Sequence, residues 1–312
     1  MDALKEAVRT YAARHSNADG LALTPVPGLR MMCLEAPRGD LRSIYRPLVC
    51  LVLQGAKLMT VGREQRLFSA GQSVIVSADM PVDGRIVRAS RNEPYLAVAV
   101  ELQLTVLREL ATRLSSGVRP PRPSQTRTLF AEDTNAAVLD CALRLMRLLD
   151  RPEATSFLHA GIMRELHYWL LSGQHGEALR AVADPTSYAS RLGTAIAILR
   201  VEYRSRIRVE RLAAAAGMSL TAFHKHFKHM TSLTPGQYHK RLRLIEARRL
   251  MLEDGFSASR AAFEVGYESV SQFTREYGRL FMAPPKRDVL QSRSKSGGRT
   301  EQAREDPIAL PA

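Results

Sequence analysis

Leu212-Ala213-Ala214-Ala215-Ala216-Gly217-Met218-Ser219-Leu220-Thr221-Ala222-Phe223-His224-Lys225-His226-Phe227 and, fifty residues on, Ala261-Ala262-Phe263-Glu264-Val265-Gly266-Tyr267-Glu268-Ser269-Val270-Ser271-Gln272-Phe273-Thr274-Arg275-Glu276-Tyr277 are two copies of one pattern. Ser219 matches Ser269, Phe223 matches Phe273, Phe227 matches Tyr277, and beyond the quoted stretch Pro235 matches Pro285; the second copy has one extra residue in its turn. Each copy contains the parts of a helix-turn-helix. A short Ala-rich helix allows close crossing by its neighbour, and Gly217 or Gly266 supplies a turn where positive φ is cheap. Ser219 or Ser269 is placed to cap the second helix. Aromatic residues at i and i+4 anchor one face of that helix in a core. The opposite face then carries Thr221, His224, Lys225 and Lys228 in the first copy. In the second it carries Ser271, Thr274 and Arg275, with Gln272 beside them. These side chains can donate to base edges or phosphates, and they stand where a recognition helix would present them.

Working outward, Thr234-Pro235-Gly236-Gln237 reads as a capping box with Pro at the first helical position. It opens a helix to about residue 252 that carries Lys240, Arg241, Arg243, Arg248 and Arg249 and ends at Glu253-Asp254-Gly255. A rigid connecting helix would fix the separation of the two motifs. Two recognition helices then suit successive major grooves on one face of DNA, about 34 Å apart. The arginines at 241–249 have three readings of equal standing: solvated surface, contact with another domain, or contact with phosphate.

Charge singles out the same region. The chain has 312 residues and a net charge of +14. Residues 187–295 hold 20 Lys and Arg against 9 Asp and Glu, while the rest of the chain holds 25 against 22. A basic module attached to a near-neutral one suggests a polyanionic partner for the module. Apolar residues at 45% and charged residues at 24% exclude wholesale disorder, and the length suits about two domains. The most apolar stretch, 47–56, lies between Arg46 and Lys57 and is too short for a membrane span. Met1-Asp2-Ala3-Leu4-Lys5-Glu6 has no basic segment leading into an apolar one, so the expectation is a cytoplasmic protein without a secretory leader. Cys33, Cys50 and Cys141 are odd in number and widely spaced, which reads as buried reduced thiols.

The first half changes period near residue 102. Residues 1–20 alternate short helical and polar stretches and are expected to pack loosely. Apolar runs at 48–53, 57–61, 73–77, 84–89 and 95–102, punctuated by glycine, predict a small β-sandwich or barrel. Leu104, Leu107, Leu110, Ala111 and Leu114 then repeat at helical spacing. The proline-rich linker Arg119-Pro120-Pro121-Arg122-Pro123 follows. Asp133 or Thr134 is the expected cap of a helix with Val138, Leu139, Ala142, Leu145, Met146 and Leu149 on one face, and another helix is predicted over about 155–172. Asp184-Pro185-Thr186-Ser187 reads as a domain boundary. The fold class is α+β: strands followed by helices, then an all-α domain of two helix-turn-helix units joined by a long helix.

Residues about 190–290 resemble the DNA-binding domain of the AraC/XylS-type transcriptional regulators. The resemblance is carried by Leu212-Ala213, Ala216-Gly217-Met218-Ser219, Phe223-His224-Lys225-His226-Phe227-Lys228, Pro235-Gly236-Gln237-Tyr238, Arg241-Leu242-Arg243-Leu244, Ala247-Arg248, Gly266-Tyr267-Glu268-Ser269, Ser271-Gln272-Phe273 and Arg275-Glu276-Tyr277. One departure is Met282 after Phe281, where the family usually has Gly. The front part is similar to the N-terminal domain of one AraC-type subgroup through Ile44-Tyr45-Arg46-Pro47, Val52-Leu53-Gln54-Gly55, Gly71-Gln72, Ser77-Ala78-Asp79-Met80-Pro81-Val82 and Glu93-Pro94-Tyr95-Leu96-Ala97. The resemblance implies a cupin-like regulatory domain ahead of a DNA-binding domain. Its implied partners are promoter DNA, with RNA polymerase, a small-molecule effector and a second copy of the chain as further candidates. The expected division is an extension at 1–20, a regulatory domain at 21–184, a DNA-binding domain at 187–290 and a disordered tail at 291–312. The helix-turn-helix units fall at about 208–230 and about 257–281.

Two other chemistries are weaker. His224, His226 and His229 invite a zinc reading, but on a helix they spread over several faces with no Cys or fourth ligand nearby, so no metal or cofactor is expected. A cupin-type enzyme needs several imidazoles on its barrel, and no histidine occurs between His15 and His159. No Gly-rich phosphate loop or nucleophile elbow is present, so catalysis is not expected. A non-specific basic nucleic-acid binder is the remaining rival, and bulk charge alone would not require paired recognition helices.

Overall fold

The computed structural model describes residues 1–62, 64–114 and 129–292. The proline-rich linker and the tail from residue 293 lie outside the described residues.

The chain opens with helix α1 (Asp2–His15), followed by strands β1 (Leu21–Leu23), β2 (Leu29–Leu34), β3 (Arg38–Tyr45), β4 (Leu48–Gln54), β5 (Ala56–Val61), β6 (Glu64–Ser69), β7 (Gln72–Val76), β8 (Met80–Arg88) and β9 (Tyr95–Glu101). After helix α2 (Leu104–Leu114), strand β10 (Leu129–Asp133) returns to the sheet. The pairing is antiparallel throughout. One sheet runs β1-β2-β9-β4-β7-β10 and the other β3-β8-β5-β6. The strand pattern thus gives a sandwich, as its spacing predicts.

Why the central strands read as unbroken apolar runs is visible in their two faces. In β4, Leu48 and Val52 join the core between the sheets, while Val49, Leu51 and Leu53 join a second core under the helices. In β9, Tyr95 and Ala97 face one core and Leu96, Val98 and Val100 the other. A strand buried on both faces has no polar alternation to show. At Gly55 the chain crosses from β4 in one sheet to β5 in the other. Its φ is +78°, and an added Cβ would lie 2.4 Å from the Arg88 carbonyl oxygen.

The helical layer on the six-stranded sheet contains α2, α3 (Ala136–Arg147), α4 (Thr155–Ser172) and α5 (Gly176–Ala183). The cap of α3 is Asn135, whose side chain accepts from the Ala137 amide, and not Asp133 or Thr134; those two lie at the end of β10 and in the link beyond it. The first residues do not pack loosely. Leu4, Val8 and Ala12 of α1 are almost wholly buried against α3 and β2, at i, i+4 and i+8. Burying a Leu or Val fully contributes about 1.5–3 kcal/mol. The three cysteines are unbridged, and burial with nearby Glu165 pushes the Cys141 thiol up to about 11.

Residues beyond Asp184 form the helices α6 (Tyr188–Val201), α7 (Val209–Ala215), α8 (Leu220–Thr231), α9 (Pro235–Leu252), α10 (Ala258–Glu264) and α11 (Val270–Phe281). Residues 285–292 are helical as well, so 291 and 292 belong to structure and not to a tail. Two cores divide the helices. One holds Leu192, Ile196, Phe223, Phe227 and Tyr238, the other Leu244, Leu250, Phe273, Tyr277 and Phe281. Helix α9 serves both, its first turns in one core and its remainder in the other.

Candidate nucleic-acid interface

Helices α7–α8 and α10–α11 are the two helix-turn-helix units, and their local chemistry follows the repeat. Gly217 and Gly266 take φ of +58° and +86° in the turns. Ser219 Oγ accepts from the Ala222 amide and Ser269 Oγ from the Gln272 amide, both at 3.3 Å. Thr234 and Gln237 form the reciprocal capping box at the start of α9. Phe223, Phe227, Phe273 and Tyr277 are wholly buried.

Burying those rings turns the other face of each helix outward. Thr221, His224, Lys225 and Lys228 of α8 are exposed, as are Ser271, Gln272 and Arg275 of α11; Thr274 is half-buried. Among the described residues, Lys225, Lys228 and Arg275 have no intramolecular ion pair. Gln272 Nε2 lies 3.5 Å from Glu276, whose carboxylate also accepts from Lys240 and Tyr267. The three histidines of α8 diverge. His226 stacks on Tyr188 with ring centroids 3.8 Å apart, and burial with nearby Lys225 lowers its pKa, while His224 and His229 are exposed. Among the described residues no group of three His, Cys, Asp or Glu is placed to hold a metal ion.

The arginines of α9 behave differently from those cations. Arg241 pairs with Asp83, which also receives Arg42 at 3.6 Å. Arg248 pairs with Asp19 and, at 2.8 Å, with Asp288. Arg249 is held by Glu246, Glu253 and Asp254. Arg243 donates only to backbone carbonyls. Of the three readings left open by the sequence, contact with the strand domain describes Arg241 and Arg248, and neither is available to phosphate in this arrangement. Asp79 adds a third contact from the sandwich, to Arg200 of α6. Burial raises the Asp79 pKa against the pull of Arg200, whereas Arg248 and Arg38 hold Asp19 below the ordinary carboxylate value despite burial.

The model for the N-terminus of AraC-type transcriptional regulators matches residues 25–178, and a helix-turn-helix domain model matches 212–288. The chain belongs to the AraC/XylS-type family of transcriptional regulators. The transcriptional activator RhaS of Escherichia coli (strain SE11) is 28% identical over 160 residues, 51% of this chain and 56% of RhaS. RhaS of Klebsiella pneumoniae (strain 342) is 28% identical over 159 residues, with the same shares. The chain therefore spans about half the length of the curated relatives it matches. Among solved structures, an apo variant of ToxT from Vibrio cholerae superposes with a TM-score of 0.60 at 9% identity, covering 88% of this chain and 99% of ToxT. Wild-type ToxT bound to an unsaturated fatty acid gives 0.56 at 9%, covering 84% and 94%. That likeness is one of fold, and it extends over sandwich and helices together.

In this AraC-type chain, Arg206, Arg208, Arg279, Lys286 and Arg287 of the helical domain are further exposed cations without an ion pair among the described residues, and Arg260, which lies over the Phe256 ring, is another. The sequence reading did not single them out. All basic residues look alike in sequence, and only knowing which are already paired separates these from Arg241, Arg248 and Arg249.

Proposed function

We propose that the chain is a sequence-specific DNA-binding transcription regulator that reads two successive major grooves and is controlled through its N-terminal sandwich. The observation that carries this is the sorting of the basic residues: those on the outward faces of α8 and α11 are unpaired, while those of α9 are engaged within the protein. Free cations attract phosphate, and a bidentate or charged contact to a base edge discriminates by about 1–3 kcal/mol. Thr221, His224, Lys225 and Lys228 serve one groove, and Ser271, Gln272, Thr274 and Arg275 the next. Lys225→Ala or Arg275→Ala is expected to weaken binding by that amount and to relax base choice in one block only. Unchanged affinity and unchanged base preference in both variants, measured by selection on randomised duplexes, would remove the assignment. Protein partners in this reading are RNA polymerase and a second copy of the chain, and the setting is the cytoplasm.

Effector control has its own support. A cavity between the sheets is lined by Met31, Met32, Leu41, Leu48, Tyr45 and Lys57. Lys57 is 6% exposed, and its Nζ donates to the Tyr45 hydroxyl at 2.7 Å. Among the described residues no carboxylate pairs with it. A buried ammonium beside an apolar cavity gains from an incoming anion. We therefore assign the effector to the small amphipathic carboxylates, in keeping with the fatty acid held by ToxT. Such a ligand at about 100 times its Kd adds about 2.7 kcal/mol to stability. A panel of aliphatic and aryl carboxylates should raise the Tm of the unsubstituted protein and leave Lys57→Met unmoved. Equal shifts in both proteins would refute the site.

A further inference from the structure

Each helix-turn-helix unit is led by a helix whose arginine closes the unit's own turn. In the first, Arg191 of α6 donates from Nε to the Ala216 carbonyl at 2.8 Å and from Nη2 to that of Gly217. In the second, Arg243 of α9 donates from Nη1 to the carbonyl of Gly266, the matching glycine, at 3.2 Å. Arg243 then does something Arg191 does not. Its Nε donates to the Tyr203 carbonyl at 2.6 Å, and its Nη2 to those of Arg204 and Ser205, each at 3.0 Å. Those carbonyls lie between α6 and α7, in the first unit. One guanidinium therefore grips both units.

The surroundings are built for this grip. An added Cβ on Gly266 would stand 2.0 Å from the Arg204 carbonyl oxygen, so the close approach of the two units requires glycine there. One turn before Arg243, the His239 Nε2 also bonds the Tyr203 carbonyl, at 2.8 Å. Among the described residues the other polar link between the units, Arg204 to Glu264 at 2.6 Å, joins half-exposed groups and fixes little. The apolar packing of α9 into both cores is non-directional. Directional constraint between the units thus falls on Arg243, with a planar fork of donors that a lysine ammonium does not reproduce.

We propose that Arg243 is a positioning residue for DNA recognition: it fixes the separation and angle of α8 and α11, and so the base-pair spacing the protein accepts between its two recognition blocks. The proposal rests on the paired-groove reading above. It differs from a purely structural role because each block should still be read normally when Arg243 is lost. One base pair more or less moves the second block by about 3.4 Å and about 35° around the helix, enough to misplace a rigidly held second helix.

The test uses the full-length protein and duplexes carrying both blocks at the native spacing, with one base pair inserted or removed, and with one block scrambled. The unsubstituted protein should lose about tenfold or more in affinity at either altered spacing, as expected for forfeited base contacts. Arg243→Gln should bind all three spacings within about threefold of one another, and bind the single-block duplex as the unsubstituted protein does. His239→Ala, which leaves the Gly266 turn alone, should loosen the spacing preference in the same direction, and it decides the matter if Arg243→Gln fails to fold. A variant that folds and keeps the full spacing preference overturns the proposal alone. An unsubstituted protein indifferent to spacing overturns the paired-groove reading, and the proposal with it.

Discussion

Phe223 and Phe227 touch with ring centroids 5.3 Å apart, and Phe273 and Tyr277 at 5.4 Å, so α8 and α11 are each anchored by two rings spaced one turn apart. Phe227→Ala is expected to cost about 3–5 kcal/mol of stability in urea denaturation, because the cavity left cannot close around α6 and α9; a loss below about 1 kcal/mol would contradict the packing account. These anchors were legible in sequence because the i, i+4 spacing is local. Met282 shows the reverse. Replacing the family's usual glycine, it still takes the left-handed cap at φ +59°, as Ser232 does at the matching place in the first unit. Its side chain is 75% exposed, so nothing packed offsets the backbone cost. Met282→Gly should therefore stabilise the chain by about 1 kcal/mol, read as a raised Tm; a lowered Tm would mean the side chain has a role the contacts do not show.

At the scale of elements, α3, α4, β4 and β9 were readable because one continuous apolar pattern defines each. Helix α1 was not, since only Leu4, Val8 and Ala12 mark its buried stripe among charged neighbours. Strand β3 was hidden by Arg38, Arg42 and Ser43 among its apolar Leu41, Ile44 and Tyr45, which line the cavity, Ile44 also meeting the helical core. The join of α2 and α4 carries a pH dependence. His167 is buried; its Nδ1 bonds the Met163 carbonyl at 2.5 Å while Nε2 accepts from the Gln103 amide at 2.8 Å. Only the neutral ring makes both bonds, and burial lowers the pKa from 6.5. The unfolded chain takes up the proton near its ordinary pKa and the folded chain does not until lower pH. Stability is therefore intact above about 6.5 and falls by about 1.4 kcal/mol per pH unit from there down to the folded value. Denaturation between pH 7.5 and 5.5 should show that slope, shallower in His167→Gln; an identical slope in the variant would place the proton uptake elsewhere.

Over the whole molecule, three aspartates of the first half hold arginines of the second: Asp19 with Arg248, Asp79 with Arg200 and Asp83 with Arg241. Each partner lies more than a hundred residues away, which is why the role of the α9 arginines stayed open in sequence. Asp19 and Arg248 are 21% and 15% exposed, and removing one member of so buried a pair costs about 3 kcal/mol. Asp19→Asn with Asp83→Asn should split one coupled thermal transition into two, one for the sandwich and one for the helical cores; a single unaltered transition would show the contacts to be incidental. The Asp19 contribution should be complete above pH 3.8 and disappear as pH falls through the lowered folded value.

Central to all of this is the proposal that α8 and α11 read two adjacent grooves together. The most direct measurement is a genome-wide footprint of the purified full-length protein on bare DNA at physiological salt. Discrete sites made of two sequence blocks about one helical turn apart are expected. Diffuse binding that collapses with added salt and yields no motif would contradict the proposal, leaving a basic surface that holds phosphate without reading sequence.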